Sequence, residues 1–413
     1  MNKSTHPPRQ VLVVANARIP GERAQSIQTV RTAAAFARAG CETHLLYARR
    51  NVKRKIEGVD ANSINRDPLQ YYGVAEKIHL HPIPVIDFIE AVPQKLQYLP
   101  ARMEEFTFGW NAAKKIKQFP GALVHCREVE VGALLSKRKH PYYLFEAHSI
   151  PGNRFRKAWM RRALDGALGI VTITHALADD VAAEFNISRN DICVVPDAYD
   201  PAGFVNLPSR DAARQQLELL GYKTRAEDFY VVYAGHLFAW KGVDTLVEAA
   251  RLAPRIQFRL VGGLPGDVAR VRANVEKLQI KNVEVLGHRA PSEIPLHLAA
   301  ADIITIPNSA KQQISARHTS PLKLFEAMAA GRAIVASDLL SLREVLADGR
   351  NARLVAPDDP GPLAAAILQL AGDAAARAAL AASAVREAAN YTFDSRVRSL
   401  LSFAAERAAR KKL

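Results

Sequence analysis

Short, nearly unbroken apolar runs alternate along the chain with longer stretches whose apolar residues return at helical spacing. VLVVANA, from Val11 to Ala17, is the first run, and its continuity fits a parallel strand buried on both faces. A polar loop holding Pro20 and Gly21 follows. The segment from about Ser26 to Ala39 then sets Ile27, Val30, Ala34 and Ala37 on one helical face, with Ser26 placed to cap its start and Gly40 to stop it. THLLYA supplies the next strand and closes a βαβ unit.

ALVHCR, YYLFEAH, GIVTIT and ICVVPDA continue the alternation through the first half. YDPAGFVNLPSR, from Tyr199 to Arg210, is rich in turn residues and reads as the linker. Beyond it FYVVYAG, IQFRLVGG, VEVLG, DIITIP and AIVAS read as strands, each followed by a loop and a helical stretch. The fold class is therefore α/β, with two doubly wound domains facing a cleft. Their expected bounds are 1–203 and 204–393. An Ala-rich helical region from Pro360 to Arg410 is broken near Gly372 and at YTFDS, and its last helix, about 394–413, is expected to pack back on the first domain.

The 413 residues suit two or three domains, and 49% hydrophobic with 23% charged residues describes an ordinary globular core. Cys41, Cys126 and Cys193 are too few and too scattered for a disulfide framework or a metal knuckle, which points to a reducing compartment. No apolar run reaches the roughly 18 residues of a membrane span, so a cytoplasmic protein is expected. The net charge of +15 is shared evenly between the halves but gathers locally. From Lys137 to Arg162 eight Lys or Arg face one acid, Glu146. That run reads either as a solvated helix face or as a contact for an anionic membrane surface on the cytoplasmic side. Nucleic acid is not expected, because no zinc knuckle, helix-turn-helix or aromatic-interleaved basic strand accompanies the charge.

Three segments carry candidate chemistry. In HTSPLKLFEAMAAG, His318 to Gly331, Ser320 occupies the N-cap position and Pro321 the first helical position, with Leu322 and Lys323 following in the first turn. A cation is disfavoured at that positive end unless an anion joins it there, so Lys323 either snorkels to solvent or helps bind a diphosphate. Glu326, one turn on among apolar neighbours, needs donors such as sugar hydroxyls. In YAGHLFAWKGVDTLVEAA, Gly235 allows a close backbone approach and Lys241 brings a point charge before Gly242 opens a helix. In LFEAHS, Glu146 and His148 lie two apart at a strand end, the edge where open α/β sheets bind ligands. A lone histidine there is structural as readily as functional. The spacing of a Walker loop and GxGxxG are both absent.

Together these residues resemble the retaining, nucleotide-sugar-dependent glycosyltransferases of family 4, whose fold, GT-B, pairs two Rossmann-like domains. The likeness is strongest from Tyr233 to Glu344, and the SPLKLFE run resembles a subgroup without the first of the family's two glutamates. The second matches Glu326, and the first falls at His318. The resemblance implies that Gly235, His236 (in place of the usual arginine), Lys241, His318, Ser320, Leu322, Lys323, Glu326 and Arg289 bind the donor. Gly21 is what remains of the glycine-rich first loop. It further implies that His148, Lys241 and Glu326 are catalytic, and that Glu146, His148 and Arg154 face the acceptor.

The activity implied is transfer of a sugar, with anomeric retention, from a nucleotide diphospho-sugar, UDP first and GDP second, to a hydroxyl of a glycan or lipid-linked acceptor. The nucleotide sugar is a substrate. No tightly bound cofactor or metal site is expected, a divalent metal being at most stimulatory. Two other readings remain open here: a nucleotide-sugar epimerase on the same fold, and a non-catalytic nucleotide-sugar-binding relative.

Overall fold

The computed structural model describes residues 9–21, 23–50 and 68–411. The chain divides into two compact units, the first holding residues up to Asp197 together with those from Phe393 onward, the second Ala198–Thr392. The division falls a few residues ahead of the expected 203, and the two ends of the expected first domain, 1–8 and 412–413, lie outside the described residues.

Unit 1 carries a seven-stranded sheet in the order β3-β2-β1-β4-β5-β6-β7, every pairing parallel. Its strands are β1 (Gln10–Arg18), β2 (Glu42–Arg49), β3 (Ile78–Pro84), β4 (Leu123–Cys126), β5 (Tyr143–Ala147), β6 (Gly169–Thr172) and β7 (Ile192–Val194). Helices α1 (Ala24–Arg38), α2 (Tyr98–Ile116), α3 (Val129–Lys137), α4 (Arg154–Gly166) and α5 (His175–Phe185) connect them. β4, β5 and β6 are buried along their whole length, as unbroken apolar runs require when helices cover both faces.

Unit 2 repeats the plan with six parallel strands in the order β10-β9-β8-β11-β12-β13. They are β8 (Tyr230–Ala234), β9 (Gln257–Val261), β10 (Val283–Gly287), β11 (Ile303–Ile306), β12 (Ala333–Ser337) and β13 (Arg353–Val355). Its helices are α6 (Arg210–Leu219), α7 (Val243–Leu252), α8 (Pro265–Lys277), α9 (Ile294–Ala299), α10 (Leu322–Ala329), α11 (Pro360–Gly372) and α12 (Ala374–Ala388). In each sheet the strand order reverses once, at β1/β4 and at β8/β11, and ligands of such sheets bind beyond the strand ends at that point.

Helix α13 (Phe393–Lys411) belongs to unit 1. Phe403 fills the space left by Gly169, where an added Cβ would lie 2.5 Å from its ring. Arg407 Nε donates to the Leu168 carbonyl at 3.1 Å, and Arg38 on α1 pairs with Asp394 at 2.7 Å.

Two expected caps are displaced. α1 begins at Ala24 with Arg23 as its cap residue, and Ser26 lies inside the first turn with its hydroxyl donating to the Arg18 carbonyl at 2.7 Å. α10 begins at Leu322 with Pro321 in extended backbone at the cap, so Ser320 stands one residue too early to cap it. Gly331 takes the left-handed conformation after α10, at φ 66°.

Candidate active site

Within unit 2, β8 runs into Gly235, whose φ of 139° is a conformation that side chains disfavour. Its N–H donates to the Val261 carbonyl at 2.9 Å. The loop that follows is fixed by aromatic stacking, with the His236 ring on Phe238 at 4.9 Å and Phe238 on Trp240 at 6.3 Å. It is fixed also by close backbone packing across the β8/β11 switch point. A Cβ on Gly242 would fall 1.6 Å from the Pro307 carbonyl oxygen, so only glycine fits.

Two lysines stand in this region with no acid paired to either among the described residues. Lys241 Nζ lies 3.8 Å from the Trp240 ring centroid, and burial pushes its pKa down to about 8. Lys323 Nζ lies 4.2 Å from the Tyr233 centroid and has no hydrogen-bond partner among the described residues. Burial, and then the charge of Lys241, holds it well below the usual range for an amine. The Lys323 stem passes Gly235 closely, its Cδ 3.6 Å from where a Cβ would stand. A buried amine without a counter-charge is costly, and the first turn of α10 adds uncapped N–H groups beside it. The arrangement has the form of an anion site.

Glu326 follows on α10, and burial raises its carboxyl to about 7. No hydrogen bond or ion pair engages that carboxyl among the described residues. His318 and Ser320 are buried just before α10 and Leu322 is half-buried at its start. Arg289 is engaged elsewhere in the unit. Its guanidinium lies over Tyr222 at 5.3 Å and donates to the His288 carbonyl at 2.6 Å.

Asn308, which the sequence did not single out, is fully buried after β11 with neither amide atom hydrogen-bonded among the described residues, next to the Gly242 contact. An asparagine after a strand looks like any turn residue. Only the fold shows that it lies at the switch point.

In unit 1, β5 delivers Glu146 and His148 together, as their spacing requires. His148 Nε2 lies 2.5 Å from Glu146 Oε1. Glu146 is 1% exposed, and its second oxygen receives His125 Nε2 at 2.8 Å and Arg396 from α13 at 2.6 Å. With both oxygens committed, Glu146 positions these neighbours. Arg396, His125 and His148 hold its carboxyl well below the ordinary range despite full burial.

The His148 pKa is also lowered, to about 4, because burial outweighs the carboxylate beside it and the Arg127 charge opposes protonation. It is neutral at pH 7. Beside it Arg127 donates to Gln28 at 2.6 Å, and Gln28 donates to Asp197, whose carboxyl burial raises to about 7. Val13, Gln28, Thr32, His125, Arg127 and Glu146 line a small pocket at the β1/β4 switch point.

Gly21 is buried, with its N–H donating to the Tyr72 hydroxyl at 2.7 Å and its carbonyl receiving that hydroxyl at 2.6 Å. Arg154 is exposed at the start of α4 over the Phe155 ring and shares no hydrogen bond with Glu146 or His148. Among the described residues no group of three His, Cys, Asp or Glu side chains is arranged to hold a metal ion.

Comparison with known proteins places both units. Residues 25–202 match the model of Glycosyltransferase Family 4, and residues 228–373 match that of Glycosyl transferases group 1. A D-inositol 3-phosphate glycosyltransferase of Stackebrandtia nassauensis is 30% identical over 246 residues, covering 56% of this chain and 52% of that protein. A phosphatidyl-myo-inositol mannosyltransferase of Mycolicibacterium smegmatis is 28% identical over 207 residues, covering 49% of this chain and 48% of that one. The chain thus spans about half the length of these curated relatives.

Among solved structures, sucrose-phosphate synthase from Thermosynechococcus elongatus superposes with a TM-score of 0.75 at 18% identity, covering 97% of this chain and 100% of the other. Anabaena Alr3699/HepE in complex with UDP gives 0.70 at 18% identity, covering 98% and 100%. A glycosyltransferase family model thus matches most of each unit, and the chain has the GT-B fold of two Rossmann-like domains.

Proposed function

We propose that the chain is a retaining glycosyltransferase that moves a sugar from a nucleoside diphosphate, UDP first and GDP second, to a hydroxyl of a lipid-linked or glycan acceptor. The observation that carries this reading is the Lys241 and Lys323 pair, a half-buried and a fully buried amine with no acid paired to either among the described residues, which a diphosphate would neutralise. The relatives' names support a phosphorylated or lipid-linked polyol as acceptor, and the UDP in the HepE structure supports the donor class. The SPLKLFE run fits donors held without the first family glutamate, with His318 or the backbone beside it in that place.

In the reaction the bond from the anomeric carbon to the β-phosphate oxygen breaks while the acceptor oxygen bonds to the same face. The acceptor proton passes to the departing phosphate. Lys241 and Lys323 oppose the negative charge that grows on that phosphate, an electrostatic contribution that needs no reorganisation. Glu326, whose carboxyl burial raises to about 7, would take the ribose hydroxyls. His148 gives its Nε2–H to Glu146, which leaves Nδ1 as an acceptor for a sugar or acceptor hydroxyl.

Replacing Lys241 or Lys323 with Ala should lower kcat by about 10² or more, as loss of one oxyanion donor does. Thermal shift with a panel of nucleotides identifies the base, and NMR of the product's anomeric proton reads retention. Wild-type turnover in both lysine variants would remove them from the mechanism.

A further inference from the structure

Helix α2 is apolar on two sides. Phe108, Ala112, Ala113 and Ile116 are buried against the sheet. A second stripe, Leu99, Met103, Phe106 and Trp110, steps by four, three and four residues and stays 66%, 41%, 46% and 50% exposed. Four large side chains on one helical line in water mark a face built to meet something else. The stripe continues onto the next helices, since Phe106 stands edge-on to Trp159 of α4 at 6.2 Å, and Phe155 on the same helix is 69% exposed.

The unmatched charges around this face are positive. Arg138 lies over Trp110 at 5.6 Å and Arg154 over Phe155 at 5.0 Å. The nearby acids Glu105 and Glu130 are already matched by Arg102 and Arg156. Lys137, Lys139, Arg154 and Arg162 have no acidic partner among the described residues. We infer that the face formed by α2 with the adjoining ends of α3 and α4 seats the protein on an anionic lipid bilayer, aromatic rings at headgroup depth and cations against lipid phosphates. A second copy of this chain fits poorly, because two such faces would bring like charges together. The inference stands on surface chemistry alone and does not depend on the donor reading.

Sedimentation of the full chain with vesicles of phosphatidylcholine alone, and with phosphatidylglycerol added, tests it without donor or acceptor. Binding is expected only with the anionic lipid, and it should weaken with salt, with a blue shift of tryptophan emission that Trp110→Phe diminishes. Phe106→Glu should abolish binding. Each of Lys137→Gln and Lys139→Gln should lower it about fivefold, the effect of one cation near such a surface. All three positions are exposed, so circular dichroism and turnover on a soluble acceptor should match wild type. Failure to bind anionic vesicles, equal binding to neutral ones, or a dimer in solution that Phe106→Glu dissociates would each overturn the assignment.

Discussion

Lys323 is held well below its ordinary pKa in the free protein, and Lys241 near 8, so a diphosphate arriving between pH 7 and 8 should draw protons onto both amines. Calorimetry in buffers of different ionisation enthalpy should therefore show proton uptake on nucleotide binding. Affinity should fall as pH rises through 8, where the free Lys241 loses its proton and must be recharged at a cost. Binding without proton uptake would place the phosphates elsewhere. Gly242→Ala should be nearly as damaging as loss of either amine, because the Pro307 carbonyl leaves no room for a methyl group and the loop carrying Lys241 must shift. Lys323 was legible as a cation in the wrong turn of a helix. Asn308 and Arg396 were not, since nothing local distinguishes a buried asparagine from a turn residue or a buried arginine from a solvated one.

Helix α13 acts on the first-unit site through Arg396. Arg396 is 3% exposed, and its guanidinium reaches Glu146 at 2.6 Å. Arg396→Met should destabilise the protein by about 3–5 kcal/mol, because it strands a buried carboxylate. It should also raise the His148 pKa, since the Arg396 charge opposes its protonation. NMR titration of the imidazole reads the second effect, and the acid limb of the pH–rate profile should move to higher pH with it. Arg396→Lys should recover part of both. An unchanged titration would leave Arg396 with a packing role only. At this scale the strands were legible wherever an apolar run was unbroken. β3 escaped notice because Pro82 and Pro84 read as breakers, although an edge strand bonded on one side tolerates them. β13 has three residues and begins with an arginine, too short and too polar to carry a signal.

The two units have separate cores, and each places its candidate residues at its own sheet's reversal of strand order. The alternation of runs and helices was enough to read that architecture, because doubly wound sheets leave a distinctive double repetition in the chain. A nucleotide bound at about 100 times its Kd should stabilise the native state by about 2.7 kcal/mol. Hydrogen exchange should slow first in 235–242 and 320–326, and protection confined to unit 1 would contradict the assignment of the donor region.

Unit 1 is closed by residues that the ribosome makes only after all of unit 2. Until Phe393–Lys411 emerges, Gly169 lacks its Phe403 cover and Glu146 its guanidinium, whereas every strand of the second sheet has already been made. Nascent-chain ordering therefore runs against synthesis: the part begun first is finished last.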